Sequence, residues 1–252
     1  MTRPAIIRWS AILVLLVLWE LLRQFDLVHA ILLASPSEIY TAFGKDGAAF
    51  VGAFQVTLAE IVTAIIITWS LGLTFGLLAG TNPTLGMAAG PVMASLFAIP
   101  LIVWYPLFMV WLGIGPASKI LFAVVSGFFP IALNTMNGVR LLDRRYILLG
   151  QSLGATRFQL LFRILMPLAL PSVMSGLRIG TALVVIGVIV TEMLASVQGL
   201  GFWISYHRTL FNTGHVYLGM MLALACALLA NWGLSRLETK FGRWRELEKM
   251  GG

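Results

Sequence analysis

The sequence predicts an all-α integral membrane protein of about six transmembrane helices, and three observations predict it. Of 252 residues, 59% are hydrophobic and 11% charged, with a mean hydropathy of +0.93, far from the balance of a soluble domain. The apolar residues gather in runs long enough to cross a hydrocarbon layer about 30 Å thick, which takes roughly 20 residues per helix. The basic excess, a formal charge of +7, collects on alternate connections, as it does where lysine and arginine fix the orientation of a membrane protein. In a soluble chain such a charge would suggest nucleic acid; here it sets topology, and no nucleic-acid partner is expected.

The spans are expected at roughly 9–25, 54–79, 92–113, 117–138, 170–193 and 214–235. The first, through Trp9–Leu22 after Arg3 and Arg8, runs past Glu20 without a small-residue cleavage site, so it reads as a retained span rather than a signal peptide. Residues 1–53 then make the first span and an outer loop, 54–236 the core, and 237–252 a tail, within one transmembrane domain of residues 1–252. An even number of spans puts both termini on one side. Placing them in the cytoplasm leaves only Arg23, Lys45, Lys119 and Arg208 outside.

Each span carries its own punctuation. "GLTFGLLAG" in the second sets Gly72, Gly76 and Gly80 four apart on one face, a spacing that allows another backbone to approach closely. The third holds Pro91, Pro100 and Pro106, which predicts a bend or break near Trp104 and Tyr105, and broken helices often line a pathway. On the fourth, Asn134 and Asn137 stand three apart and need partners in lipid: an inter-helix hydrogen bond or a shared cavity. Near the end of the fifth, Thr191 and Glu192 are candidates for the mouth of a passage, with a structural hydrogen bond the alternative. Glu20, with Arg23 at i+3, reads as a boundary pair, and Glu60 as a residue near its span's end.

Between the fourth and fifth spans lies the largest connection. Asp143 is placed to cap a helix through "RRYILLGQSL", Gly154 to end it in the left-handed region, and Thr156 with Gln159 to form a capping box opening a second helix through "RFQLLFRIL". Leu149 and Leu153 share a face, as do Phe158, Leu161 and Leu165, while Arg157 and Arg163 reach solvent or headgroups. Such a hairpin exposes an apolar face unless the bilayer surface or a soluble partner covers it.

This segment resembles the "EAA" loop of the membrane subunits of binding-protein-dependent ABC importers. The pattern runs E-A-A, three residues, G, nine residues, I, one residue, L-P. It falls here on Leu148, Leu149, Gly150, Gly154, Ile164, Met166 and Pro167. Glycine, isoleucine and proline match; Leu148 replaces the glutamate, and Leu149 and Gly150 the two alanines. "LLASPSEIYTAF", "AIPLIVWYPLFMVWLGIG", "FFPIALNTMNGVR" and "EMLASVQGLGFWI" extend the similarity over nearly the whole chain, toward permeases of the nitrate/sulfonate/taurine type and importers of thiamine-precursor pyrimidines.

The resemblance implies a multi-pass permease of the bacterial inner membrane. It implies a second permease subunit, in a homodimer rather than a heterodimer, two ABC ATPases below, and an extracytoplasmic substrate-binding protein. The hairpin of residues 143–167 would be the coupling helix, with Leu148, Leu149, Gly150, Gly154, Ala155, Arg157, Ile164 and Pro167 at the ATPase. Trp104, Tyr105, Asn134, Asn137, Thr191 and Glu192 would line the pathway. The cargo would be a small anion such as a sulfonate, taurine or nitrate, with a thiamine-precursor pyrimidine or other vitamin-like solute the alternative.

No G-x-x-x-x-G-K-[ST] occurs, and "FGKDG" lacks its context, so ATP and magnesium would belong to a partner ATPase and no cofactor is expected in this chain. A single cysteine, Cys226, offers no thiolate cluster. His29, His207 and His215 lack H-x-x-x-H or H-E-x-x-H spacing, so they read as interfacial residues and no metal site is expected. A membrane enzyme using Glu192, His207 and His215, or an ion-coupled carrier, are the competing classes; the latter needs an intramembrane charge pair, and none is evident in the sequence.

Overall fold

The computed structural model describes residues 3–249. In order along the chain lie α1 (Arg3–Gln24), α2 (Pro36–Thr81), α3 (Pro83–Ala98), a 3₁₀ turn (Leu101–Trp104), α4 (Tyr105–Leu112), α5 (Pro116–Arg140), α6 (Arg144–Ser152), α7 (Arg157–Leu160), a π turn (Leu161–Leu165), α8 (Met166–Leu194), α9 (Leu200–Thr209) and α10 (Thr213–Lys249). No strand occurs among the described residues.

Among the described residues, four helical runs are long and apolar enough to cross a membrane: Pro36–Thr81, Pro116–Arg140, Arg157–Leu194 and Thr213–Thr239. The pair Pro83–Ala98 and Leu101–Leu112, bent by 85°, makes a fifth if it counts as one span. The first expected run is occupied by α1, 22 residues long. Two expected boundaries move. Residues 36–53 are helix rather than outer loop, because Ser35 and Glu38 form a capping box around Pro36 at the first helical position: Glu38 N–H donates to Ser35 Oγ (3.1 Å) and Ser35 N–H to Glu38 Oε2 (2.9 Å). The expected tail continues α10 as far as Lys249; residues 250–252 of it, and residues 1–2 before α1, lie outside the described residues.

The described residues pack as two compact units, one of residues 3–58 and 189–226, the other of residues 59–188 and 227–249. In the first, α1 is tied to the start of α2: Trp19 Nε1 donates to Ala34 O (2.8 Å), and Glu20 accepts from the Ser37 hydroxyl (2.7 Å). Arg23 therefore pairs not with Glu20, as its spacing suggested, but with Asp26 (2.7 Å) and Glu38 (3.2 Å).

In the second unit α5 is central, and its packing explains the small residues around it. A Cβ on Gly72, Gly76 or Gly80 of α2 would stand 2.7 Å from Ile131, 2.6 Å from Thr135 or 2.8 Å from Val139. Those α5 residues are themselves four apart, so the two helices meet backbone to side chain over two turns, with no room for any larger residue. Across the unit, Gly176 and Gly180 of α8 play the same part, against Asn134 and Ile131. Ile131, Val139, Leu165, Ala169, Val173, Met174, Leu177 and Leu234 form one buried cluster. The third expected span is broken where Ile99 turns extended (ψ 133°) before Pro100, as the ring of a following proline demands.

Candidate functional site

The hairpin builds itself from local rules. Asp143 caps α6 by accepting from Arg145 N–H (2.9 Å), and its carboxyl is held below the usual range by hydrogen bonds from the Arg145 side chain, then from its backbone. At the other end Gly154 N–H donates to Gln151 O (2.9 Å) and Ala155 N–H to Gly150 O (3.0 Å), the two bonds of a Schellman motif. That motif needs a left-handed residue at 154, and Gly154 has φ +72°. Thr156 and Gln159 then cap each other reciprocally (2.9 and 3.3 Å) and start α7.

The two arms close on Gly150, which is buried; a Cβ there would meet Ile164 and Leu160 at 2.7 Å. Ile164 is half-buried, Ala155 half-buried, and Arg157 and Pro167 exposed. Outward the hairpin presents Leu148, Leu149, Leu153 (78% exposed), Phe158 (75%) and Phe162, the last two stacked with ring centres 5.4 Å apart. The expected face of Phe158, Leu161 and Leu165 is split: Leu165 joins the core and Leu161 packs against it, while Phe158 points away. The cause is the π turn at Leu161–Leu165, whose extra residue per turn rotates the phase of everything beyond it.

The expected pathway residues scatter. Trp104 ends the 3₁₀ turn half-buried, whereas Tyr105 is fully buried with its ring edge-on to Phe122 (5.6 Å). Asn137 is exposed, and Asn134 donates to Pro130 O of its own helix (2.8 Å) rather than across helices. In the same unit lies a pair that the sequence reading missed: Lys119 Nζ sits 2.5 Å from Glu60 Oε1, with side chains 1% and 5% exposed. A lysine inside an apolar run was the available signal, since burial of one charge demands another.

In the first unit Thr191 and Glu192 are buried, Glu192 to 1% exposure. Its carboxylate accepts from the Thr57 hydroxyl (2.8 and 2.9 Å) and from Gly201 N–H (2.8 Å), while Thr57 Oγ1 accepts from Leu200 N–H (2.8 Å). Glu192 thus anchors the N-terminus of α9, whose unsatisfied N–H groups attract a negative charge, rather than standing at an open mouth. Gly199, at φ +101°, lies against this carboxylate and leaves no room for a side chain.

Beyond α9 the chain turns back through Phe211 (φ +56°), where Asn212 N–H donates to His207 O (3.0 Å). This reversal stacks His207 on His215, ring centres 4.3 Å apart and 14° from parallel. His215 Nε2 lies 2.9 Å from Asp46 Oδ2, at the non-helical residue that kinks α2 (φ −122°, ψ 16°). Burial, and then His215, push the His207 imidazole below its ordinary range, with Asp46 acting the other way. Of the three histidines expected as separate interfacial residues, His207 and His215 therefore form one cluster.

A glycine-zippered, multi-pass helical unit with a capped hairpin bearing an uncovered apolar tip defines a membrane transport subunit. Residues 72–241 match the family model of the binding-protein-dependent transport system inner membrane component, and the chain belongs to that family. It is a permease subunit of an ABC importer.

Among its relatives, the taurine transport system permease protein of Escherichia coli is 28% identical over 97% of this chain and 91% of that one. The formylaminopyrimidine transport permease protein of Halalkalibacterium halodurans is 32% identical over 93% and 94%. The bicarbonate transport system permease protein of Synechocystis is 28% identical over 90% and 85%. Among solved structures, the inward-facing MetNI methionine ABC transporter shares the fold with a TM-score of 0.67 at 21% identity, over 78% of this chain and 98% of that one.

Proposed function

We propose that this permease carries a small anion, of the sulfonate or taurine kind, across the bacterial inner membrane. The solute arrives on an extracytoplasmic binding protein and moves on ATP hydrolysed by two separate subunits. Two copies of the chain form the passage, with both termini in the cytoplasm. The observation that carries the reading is the hairpin: a rigid, doubly capped tip on which Leu149, Leu153 and Phe158 stand in the open, at the end of a chain segment that continues directly into α8. An apolar knob of this kind fits a groove in a soluble partner. Closure of that partner would then tilt the helices as rigid bodies between two arrangements. The preference for an anion rests on relatives named for taurine and bicarbonate transport; the relative named for formylaminopyrimidine is the alternative.

The test is recovery of the tagged chain from native membranes, followed by mass spectrometry of what accompanies it. A P-loop ATPase and a binding protein are expected, and the binding protein should be stabilised against heating by taurine or an alkanesulfonate rather than by an aminopyrimidine. Gly154→Trp should release the ATPase while size-exclusion behaviour is retained. Recovery of the chain alone, with ATP-independent uptake in vesicles, would refute the reading.

A further inference from the structure

We infer that His207 is an acid-sensitive latch on the reversal between α9 and α10: neutral, it keeps the turn closed; protonated, it leaves its place and the turn loosens. The turn needs holding. Phe211 stands in the left-handed region at φ +56°, which strains a bulky residue, and its ring is 70% exposed, so its own packing returns little. What closes the turn is the cluster around it. Asn212 N–H donates to His207 O (3.0 Å), His215 meets Asp46 at the α2 kink (2.9 Å), and the two imidazoles stack with ring centres 4.3 Å apart.

His207 fits that cluster as a neutral ring. It is 5% exposed, its Nε2 has no hydrogen-bond partner among the described residues, and its Nδ1 lies 3.5 Å from the Asn212 amide nitrogen, at the limit of a hydrogen bond. Phe50 and Trp203 lie nearly parallel to it (21° and 22°), so its in-plane N–H groups run past their faces rather than into them. The titratable groups that face it are His215 of α10, Asp46 of α2 and, edge-on from its own helix, Tyr206 (5.2 Å); Glu38 and Lys45 of α2 lie further off, in the surface cleft that His215 lines. Asp46 favours a charge on His207, but its carboxylate is engaged by His215. A proton on His207 therefore makes a buried cation without a carboxylate of its own, stacked on a second imidazole.

The direction of the effect follows. Burial, then His215, hold the packed ring below its ordinary value of 6.5, to which it returns once the turn opens and water reaches it. The closed form binds fewer protons, so the latch is at full strength above 6.5 and weakens as pH falls from there toward the lower folded value. One proton sets the limit, about tenfold in the closing equilibrium per pH unit. With both termini in the cytoplasm the reversal faces outward, so acid outside the cell loosens the face on which the binding protein arrives. That consequence rests on the transport reading proposed above; the latch itself does not.

Hydrogen exchange of the full chain in lipid nanodiscs between about pH 5 and 8, corrected for the intrinsic pH dependence of exchange, tests the latch. Protection of residues 200–216 should be constant above about pH 7 and fall below it, by a factor approaching tenfold per unit at its steepest. His207→Phe keeps a ring against Phe50 and Trp203 and cannot take the proton, so it should flatten the profile. His29→Gln should leave the profile as it is. A flat profile in the unmodified chain would overturn the assignment without any variant, so a variant that misfolds does not leave it undecided. A profile flattened by His215→Gln and untouched by His207→Phe would place the proton on the other ring and overturn it equally. Capture of the ATPase is read separately: a flat profile with the ATPase bound sinks the latch alone, and a sloping profile without it sinks the transport reading alone.

Discussion

Replacing Lys119 with methionine removes the cation that faces Glu60 and keeps the apolar stem. At 2.5 Å the two charges attract with about 7 kcal/mol at an effective dielectric of about 20. Desolvating each ion costs several kcal/mol, so the intact pair is close to neutral in net stability. Breaking it is different, because Glu60 stays buried and loses the ammonium that faces it. The expected loss is about 3–5 kcal/mol for Lys119→Met and similar for Glu60→Gln, with the double variant recovering most of it. Equilibrium unfolding in mixed detergent–SDS micelles measures all four corners of this cycle. A single-variant loss under about 1 kcal/mol with no coupling would refute the argument, for it would mean that water or another group already serves one of the charges.

Gly76→Val pushes a side chain into Thr135, 2.6 Å from where its Cβ would stand, and should cost about 1–3 kcal/mol in the same unfolding assay, whereas Gly44→Ala, inside α2 with nothing within 4 Å, should cost nothing and gain up to about 1 kcal/mol. Glu192→Gln replaces one acceptor oxygen by a donor facing Thr57 or Gly201, and about 1–3 kcal/mol should be lost, with faster hydrogen exchange at the start of α9. The Asp143 carboxyl has its folded pKa lowered below 3.8, so its cap is complete above that value and is lost as pH falls through the lower folded one. Hydrogen exchange of α6 should accelerate only at that acid end, and Asp143→Asn, which also caps, should remove the pH dependence without fraying the helix.

What the sequence made legible was whatever a short stretch of chain decides for itself. The α6–α7 hairpin follows from four residues between 143 and 159, Asp143, Gly154, Thr156 and Gln159, each fixing a backbone group within its own turn. The break before the 3₁₀ turn follows from Pro100 acting on Ile99. The glycine spacing of α2 announced a close approach, and only the partner, Ile131, Thr135 and Val139, had to come from the fold. Where a local rule was present but unread, the boundary slipped: Ser35, Pro36 and Glu38 satisfy the capping box that starts α2 eighteen residues before the apolar run at residue 54, because hydropathy marks where a helix meets lipid and capping marks where it begins.

The site residues resisted for the opposite reason. Glu60 and Lys119 each looked like a boundary charge, and Glu192 like the rim of a passage, because a single polar residue in an apolar run says that a partner exists and not which one. Thr57 meets Glu192 across 135 residues of chain and Asp46 meets His215 across 169. His207 and His215 are only eight apart, yet no helix brings residues at that spacing nose to nose; the reversal at Phe211 does, by ending α9 and starting α10 in the opposite sense. A search limited to i+3 and i+4 spacings passes over such a pair by construction. In a helical membrane protein the polar chemistry therefore concentrates at the breaks between helices, where backbone reversal sets side chains face to face and where spacing rules stop applying.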